Sequence, residues 1–223
     1  MGSAMTIVTG GAAGADAHWE SEAHKRGLAV DICTFKGHCR AASETARLVF
    51  PSRKRRKDLW KDVQAAAQRR HHRLLDARDS VAGQLMQRDG LLATHSRALL
   101  VVTERPPEYR SWTRKVPRWD CMVHGSSGWV VQMFVDRHVK DRRQPALAVF
   151  AQDTAQWYVA RLDFEWQAVR WWSVACPVRG MRTLPTPPVN VGAVGCHKLQ
   201  DAGRTAIASV LDRMIGLTVV ALA

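Results

Sequence analysis

Residues 5–20, MTIVTGGAAGADAHWE, decide the fold class of this chain. The β-branched run Thr6–Thr9 predicts a short buried strand that ends at glycines, and helical spacing then continues to Gly27, which suits a C-terminal cap. Leu28–Phe35 is a second strand candidate. Because strands joined by a helical crossover are normally parallel, the opening predicts an α/β fold. We expect a Rossmann-like three-layer fold, with a mainly parallel central sheet and helices on both faces.

The rest of the chain continues this alternation. Apolar spacing predicts helices over 58–78 and 81–88, and the unbroken apolar run Arg97–Glu104 predicts a strand buried on both faces. A helix is predicted after residues 125–128, a strand at 145–150, a strand pair within 157–172, and a last short strand before a helix with inward residues Ala206, Ile207, Val210, Leu211 and Met214. We interpret residues 1–223 as a single domain, in which 153–190 is a Trp-rich insertion or extension.

The charge of the chain is strongly positive, at +13, which attracts polyanions. The densest basic run is RKRRK, consisting of Arg53, Lys54, Arg55, Arg56 and Lys57, and it continues towards residue 73. Such a run is typical of a solvated helix face, a nucleic-acid patch or a nuclear address. The apolar stretches are too short to cross a bilayer and the N-terminus lacks a secretory pattern, so we expect a cytoplasmic protein without a membrane partner.

The five cysteines are expected to be free thiols. Cys33, His38 and Cys39 lie close together in sequence, but a fourth ligand at a familiar spacing is missing. The sequence therefore predicts no metal site.

Two glycine-rich turns lie where a strand is predicted to run into a helix. They are Gly10, Gly11, Ala12, Ala13 and Gly14, and Gly125, Ser126, Ser127 and Gly128. Backbone N–H groups at such a turn point outward at the positive end of the helix dipole, so a phosphate can bind there; tight strand-to-helix packing is the alternative. The first turn lacks the P-loop Lys-Ser/Thr and the G-x-G-x-x-G phase, and Asp31 is expected to point to solvent from its strand.

Several side chains near these turns are candidates for binding or chemistry. Asp16 and Glu20 lie one helical turn apart and could share acid and base duties, although Asp16 could instead help the helix start. Trp19 and Trp129 could stack on a base or pack in the core. Arg88 could hold a phosphate as a bidentate donor or lie exposed at a helix end.

These residues resemble the SLOG superfamily. The resemblance rests on TGGAAGAD at 9–16 with Glu20 after it, QRD at 87–89, and GSSGWVVQMFVD at 125–136. It spans roughly residues 5–152. The superfamily includes the LOG phosphoribohydrolases, the DNA-processing protein Smf/DprA and YpsA-like proteins. The resemblance implies a nucleotide, nucleotide sugar or phosphosugar as ligand at the two turns, and a homodimer. We expect that no cofactor is required.

One position departs from the LOG pattern. Gln132 stands where those enzymes carry a glutamate implicated in cleaving an N-glycosidic bond, and an amide cannot act as a general base. Hydrolysis or transfer at such a bond therefore stays open, with Asp16 and Glu20 as catalytic candidates. The alternatives are nucleic-acid binding through the basic 53–73 segment and a non-catalytic carrier resembling molybdenum cofactor carriers. The predicted ligand-binding residues are Gly10, Gly11, Ala12, Gly14, Asp16, Trp19, Arg88, Gly125, Ser126, Ser127, Gly128, Trp129 and Gln132.

Overall fold

The computed structural model describes residues 5–36, 45–70, 78–107, 118–180 and 189–221. In chain order the elements are β1 (Met5–Thr9), α1 (Ala15–Lys25), β2 (Ala29–Cys33), β3 (Arg47–Val49), α2 (Arg53–Arg69), α3 (Val81–His95), β4 (Ala98–Thr103), α4 (Ser127–Lys140), β5 (Ala146–Ala151), β6 (Gln156–Asp163), β7 (Ala168–Val174), α5 (Pro177–Gly180), β8 (Val189–Gly195) and α6 (Asp201–Ala221). None of the described helices is long and apolar enough to cross a membrane.

All eight described strands form one sheet in the order β3-β2-β1-β8-β4-β5-β6-β7. The strands from β3 to β5 are parallel, and β6 and β7 add an antiparallel pair at one edge. This confirms the α/β class and the mainly parallel sheet. It also confirms the strand pair within 157–172, which continues the same sheet.

Helices cover both faces of the sheet. One apolar cluster joins α1 and α6 to the strands, and the other joins α2, α3 and α4 to the opposite face. Strand β4 shows why its sequence is unbroken apolar, because Leu100 and Val102 pack in the first cluster while Leu99 and Val101 pack in the second. The five inward residues predicted for the last helix are all buried. The three-layer prediction is therefore confirmed.

Helix α2 begins five residues earlier than the apolar spacing predicts, at Arg53 rather than at Asp58. The Ser52 side chain caps it by accepting a hydrogen bond from the amide of Arg55 at 3.2 Å. Residues 53–58 are exposed, so the apolar pattern begins only where the helix reaches the core at Leu59. The helix ends at Arg69, and residues 71–77 of the predicted 58–78 helix lie outside the described residues.

Helix α3 runs to His95, seven residues beyond the predicted end at Arg88. The sequence pattern did not predict that the helix continues, because Asp89 and Gly90 are both poor helix formers. Gly90 also lies in a tightly packed place: a Cβ there would lie 3.2 Å from the Met133 sulfur and 3.3 Å from a Leu59 methyl group. The glycine therefore lets α3 approach α2 and α4 closely.

Strand β3 was not predicted, and it corrects the expectation for Asp31. That side chain does not point to solvent; it is only 3% exposed. Its carboxylate accepts hydrogen bonds from the guanidinium of Arg47 on β3 and lies 3.1 Å from Nε2 of His95. These partners hold the pKa of Asp31 below its usual value in spite of burial. The ion pair thus fastens a three-residue edge strand to the sheet.

Strand β8 occupies the centre of the sheet, between β1 and β4. Because these three strands are parallel, their carboxyl ends meet at one edge of the sheet. From β1 the chain continues to β2 on one side of β8, and from β4 it continues to β5 on the other side. The carboxyl ends of these central strands therefore form a topological switch point. Ligand sites in open α/β sheets form at such points.

Candidate functional site

A cavity of about 480 Å³ lies at this switch point. Three segments line it: the end of β4, the residues that lead into α4, and the residues after β8. The lining residues are Thr103, Glu104, Arg105, His124, Gly125, Ser126, Ser127, Cys196, His197 and Lys198. The lining combines a mostly apolar surface with a few charged and polar groups, which together with the volume suits a small-molecule ligand.

The second glycine turn forms one wall of the cavity. Gly125 has a φ of 74°, which favours glycine, and it directs the chain into α4. Ser126 is the N-cap residue, and within the described chain its hydroxyl makes no capping hydrogen bond. The first turn of α4 starts with uncharged residues, whereas its last turn is basic. The positive end of the helix dipole therefore lies at the cavity, and Ser126 and Ser127 belong to its lining.

Arg70 supports this turn from behind. Its guanidinium donates a hydrogen bond to the carbonyl of Val123 at 2.9 Å and lies 5.3 Å from the ring centroid of Trp129. A Cβ on Gly128 would lie 2.1 Å from the Val123 carbonyl oxygen and 2.4 Å from Arg70. Gly128 is therefore explained by packing, and Trp129 by its contact with a cation of the protein itself.

Gln152 organises the wall that follows β8. Its Nε2 donates to the carbonyl of Lys198 at 3.0 Å and to the Cys196 sulfur at 3.1 Å, and its Oε1 accepts from the amide of Gln200 at 2.6 Å. Burial raises the pKa of the Cys196 thiol above its usual value. The wall is held rigidly and presents His197 and Lys198 to the cavity.

The first glycine turn has a different role from the second. Two of its amides have partners within the protein: Gly11 donates to the Thr9 hydroxyl at 3.3 Å and Ala12 to Asp16 Oδ2 at 3.4 Å. The amide of Ala15, the first residue of α1, donates to the Cys196 carbonyl at 3.1 Å. Amides at the second turn are also engaged, since Gly128 and Trp129 donate to the carbonyls of Gly125 and Ser126. A Cβ on Gly14 would lie 2.5 Å from the carbonyl oxygen of His197. None of residues 10–16 is among the described residues that line the cavity. This turn packs against the β8 wall, as the alternative interpretation expects.

Asp16 holds the first turn in place. Its Oδ1 accepts a hydrogen bond from the amide of Gly195 at 3.2 Å, in addition to the bond from Ala12. Burial raises the pKa of Asp16 to about 6, although the guanidinium of Arg88 opposes this rise. Arg88 in turn donates to Asp89 at 2.7 Å and to the Gly10 carbonyl at 3.3 Å. The side chains of Asp16 and Arg88 therefore both make their hydrogen bonds within the protein.

Glu20 and Trp19 also lie outside the described lining of the cavity. Trp19 is fully buried between α1 and the sheet, so core packing accounts for it and its ring is not offered to a base. Glu20 is 3% exposed, and its Oε1 lies 3.8 Å from Nε2 of His24. The structure does not bring Asp16 and Glu20 to the cavity as a catalytic pair.

Gln132 is fully buried and makes three structural hydrogen bonds. Its Oε1 accepts from the amide of Cys121 at 3.0 Å, and its Nε2 donates to the carbonyl of Trp119 at 2.9 Å and to Asp136 Oδ1 at 3.0 Å. Gln132 is not among the described lining residues of the cavity. The amide therefore ties the 119–121 segment to α4, which explains why it stands at this position.

The basic run Arg53–Lys57 forms the exposed start of α2. A groove of about 580 Å³ runs along this helix and α4. Cations from both helices line it, together with four aspartates; the lining cations are Arg55, Lys61, Arg69, Arg137 and Lys140. Only Arg55 of the predicted nucleic-acid residues is part of this lining.

Sequence reasoning missed most of the cavity. Of the predicted ligand-binding residues, Gly125, Ser126 and Ser127 line it, and the residues it missed are Thr103, Glu104, Arg105, His124, Cys196, His197 and Lys198. A signal for these residues was present, because each lies at or after the end of strand β4 or β8 or next to the second turn. What the sequence could not show was that β8 lies beside β4.

Within the described residues no group of three or more His, Cys, Asp or Glu could hold a metal ion, and His38 and Cys39 lie outside those residues. Comparisons with protein-family models, with curated proteins and with solved structures find no match to this chain. The resemblance to the SLOG superfamily therefore stays a prediction, and the geometry of the cavity carries the functional argument.

Proposed function

We propose that this protein binds a small phosphorylated ligand, such as a nucleoside phosphate, nucleotide sugar or phosphosugar, in the cavity at the switch point. The observation that carries the proposal is the convergence of the α4 N-terminus with Arg105 and Lys198 on one cavity. Backbone amides and hydroxyls at a helix N-terminus bind phosphate oxygens, and flanking cations strengthen the binding. The volume of about 480 Å³ lies within the range of small-molecule sites.

The phosphate is placed against Ser126 and Ser127 in this proposal, and the rest of the ligand lies towards β8. Glu104 is the one carboxylate among the described residues that line the cavity. A reaction at an N-glycosidic bond would need a carboxylate near the sugar, so Glu104 replaces Asp16 and Glu20 as the candidate for it. Binding is the function that we propose, and any chemistry would depend on Glu104.

A thermal-shift screen tests the proposal. We expect nucleoside mono- and diphosphates, ADP-ribose or pentose phosphates at saturating concentration to raise the melting temperature, because a ligand that binds only the folded state stabilises it. Calorimetry then gives the affinity of any compound that does so. If every compound leaves the melting temperature of the folded protein unchanged, the proposal fails for this class. A coloured ligand that copurifies would favour the carrier alternative.

Replacing Ser126 by aspartate should separate ligand binding from stability. A carboxylate at the start of a helix stabilises it by about 0.3–1 kcal/mol, so the S126D protein should melt at or above the wild-type temperature. The same charge would repel a bound phosphate, and we expect affinity to fall at least about thirtyfold. Ser126→Ala is the matched control, with a small loss of affinity. Unchanged ligand affinity in S126D would place the phosphate elsewhere.

A second candidate function is nucleic-acid binding along α2. The observation that favours it is the groove in which cations of α2 and α4 converge beside the exposed Arg53–Lys57 run. These cations are spread over two helices, as a phosphate backbone requires, rather than clustered for one small anion. The four aspartates of the groove, of which Asp58 and Asp62 belong to α2, would favour placement of the phosphate backbone along the exposed Arg53–Lys57 run rather than inside the groove.

Charge reversal tests this second candidate. Replacing Arg53, Lys54 and Arg56 by glutamate should abolish measurable binding of a duplex oligonucleotide, and wild-type affinity should fall steeply between about 50 and 200 mM salt. These side chains are exposed, so the fold should persist. Arg142, Arg143 and Arg213, which are exposed outside α2, provide a control reversal of the same charge. Equal losses in both variants would show unspecific attraction by the net charge instead of a defined α2 site.

The remaining sequence-based expectations have no direct support in the structure. The cytoplasmic or nuclear location and the absence of a required cofactor stay predictions. The homodimer is a proposal, and the exposed edge strand β7 provides a separate argument for it.

A further inference from the structure

The two edges of the sheet differ in how open they are to pairing. Strand β3 has three residues, and its Arg47 is held by the ion pair with Asp31. Strand β7 at the other edge has seven residues, Ala168–Val174, and its sequence contains no proline or glycine. No other described strand pairs with its outer side. Proteins usually blunt a long edge strand, because its free backbone groups pair with other chains.

Strand β7 also presents an exposed aromatic ring. Trp172 is 44% exposed and lies on the same face as Arg170, two residues earlier in the strand. The guanidinium of Arg161 on β6 lies 5.5 Å from the Trp172 ring centroid. Arg170 forms an ion pair with Asp163 at 2.7 Å, which orients its guanidinium. The edge thus carries a cation and an aromatic ring side by side.

The opposite face of β7 is anchored to the protein. Val169 is buried, and the indole Nε1 of Trp171 donates to the Cys121 carbonyl at 3.0 Å. The amide of Trp119 donates to the Gln167 carbonyl in the turn before the strand. These contacts hold β7 in place as the last strand of the sheet. The backbone groups on its outer side are therefore preorganised to pair with a partner strand.

We propose that β7 pairs antiparallel with β7 of a second copy of this chain, about a twofold axis at Trp171. In this register each Arg170 lies opposite the partner's Trp172, and the relation occurs twice by symmetry. Cross-strand neighbours have Cβ atoms about 5 Å apart, close enough for a cation–π contact. The strand is therefore complementary to itself, and the two sheets join into one.

The charges along β7 select this register. An axis at Arg170 would oppose two guanidinium groups, and like charges directly opposite each other destabilise a strand pair. An axis at Trp172 would place each Arg170 directly opposite Val174, with the partner's Trp172 only on the diagonal. Among these three, the axis at Trp171 alone puts the partner's Arg170 directly opposite each Trp172, whose ring already contacts Arg161 of its own chain. Asp163 offsets part of the added positive charge.

Analytical ultracentrifugation of the full chain tests the proposal. We expect a reversible dimer with a dissociation constant in the micromolar range, because one strand pair buries a modest area. Trp172→Lys should raise that constant at least about tenfold, since it removes the ring and opposes two cations. Arg170→Glu combined with Trp172→Lys places opposite charges across the axis, and the double variant should return to within about threefold of wild type.

Trp166 gives the matched control, because it is 58% exposed but lies in the turn outside β7. Trp166→Lys should dimerise like wild type. A wild-type protein that stays monomeric up to about 100 µM would overturn the proposal. So would a dimer that Trp172→Lys leaves intact. A loss of single-stranded nucleic-acid binding in Trp172→Lys, with no change in association state, would assign Trp172 to base stacking instead and also overturn self-pairing.

Discussion

Replacing Gln132 by glutamate is expected to lower the free energy of unfolding by about 3 kcal/mol or more at pH 8. The wild-type amide donates to the Trp119 carbonyl and to Asp136, while its oxygen accepts from Cys121. A carboxylate would keep the bond from Cys121 and lose both donors. It would also add a buried negative charge within hydrogen-bond distance of a second carboxylate.

The penalty of this substitution should depend on pH in a defined direction. Burial raises the pKa of Asp136 to about 6 in the wild type, although Arg69 and Gln132 both oppose this rise. A raised pKa means that this group contributes stability at low pH and loses that contribution as pH rises from about 4 to about 6. A second carboxylate at position 132 would make the two groups share a proton, which strengthens the same trend. The penalty should therefore be largest above pH 7 and shrink below pH 6.

Chemical denaturation at several pH values checks this result. Gln68→Glu is the matched control, since Gln68 is exposed near the end of α2 and its substitution should change stability by no more than about 0.5 kcal/mol. Adding Asp136→Asn to the Gln132→Glu variant should recover part of the loss at pH 8. A Gln132→Glu protein as stable as the control would contradict the hydrogen-bond network described for Gln132.

The same variant tests what the LOG resemblance implies. If position 132 faced the ligand, a glutamate there would be expected to introduce cleavage of nucleoside monophosphates. In the structure the side chain faces the 119–121 segment, outside the described lining of the cavity. We therefore expect no gain of hydrolysis. Measurable release of free base by this variant alone would show that position 132 does face the ligand.

The fold could be predicted largely from local pattern. Continuous apolar runs identify β4 and β5, and the spacing of Ala206, Ile207, Val210 and Leu211 identifies the buried face of α6. Both signals reflect burial, which appears directly in the spacing of apolar residues along the sequence. The start of α2 and the continuation of α3 escaped prediction because they depend on a cap at Ser52 and on packing around Gly90.

The site was harder to predict because it depends on strand order. The sequence places β8 last, after the Trp-rich hairpin, and nothing in its composition shows that it inserts between β1 and β4. That insertion brings Cys196 and Lys198 against the end of β4 and the second turn. It also brings the backbone of Cys196 and His197 into contact with the first turn, which leaves no space for a side chain at Gly14. Two glycine turns that look equivalent in sequence therefore differ in the fold.

This difference predicts that Gly14→Ala and Gly125→Ala have unequal effects. Both glycines have positive φ, 89° and 74°, which strains alanine at either position. Gly14 also has a ψ of −127°, outside the left-handed helical region, so its backbone strain adds to the loss expected there. At Gly125 no atom of the described residues, apart from its chain neighbours, would lie within 4 Å of the new Cβ. At Gly14 it would lie 2.5 Å from the His197 carbonyl oxygen and 2.7 Å from that of Cys196. Because those atoms belong to the backbone, rotation of a side chain cannot relieve the contact.

We therefore expect Gly14→Ala to destabilise the fold by about 3 kcal/mol or more, and Gly125→Ala by about 1 kcal/mol. Denaturant melts of the two variants measure the difference, with Gly27→Ala as a second control, because Gly27 has a φ of 66° and open space around it. Equal losses at 14 and 125 would mean that the first turn stands away from the β8 wall. Its amides would then be open to a ligand, and the phosphate site would have to be reassigned from Ser126 to residues 10–14.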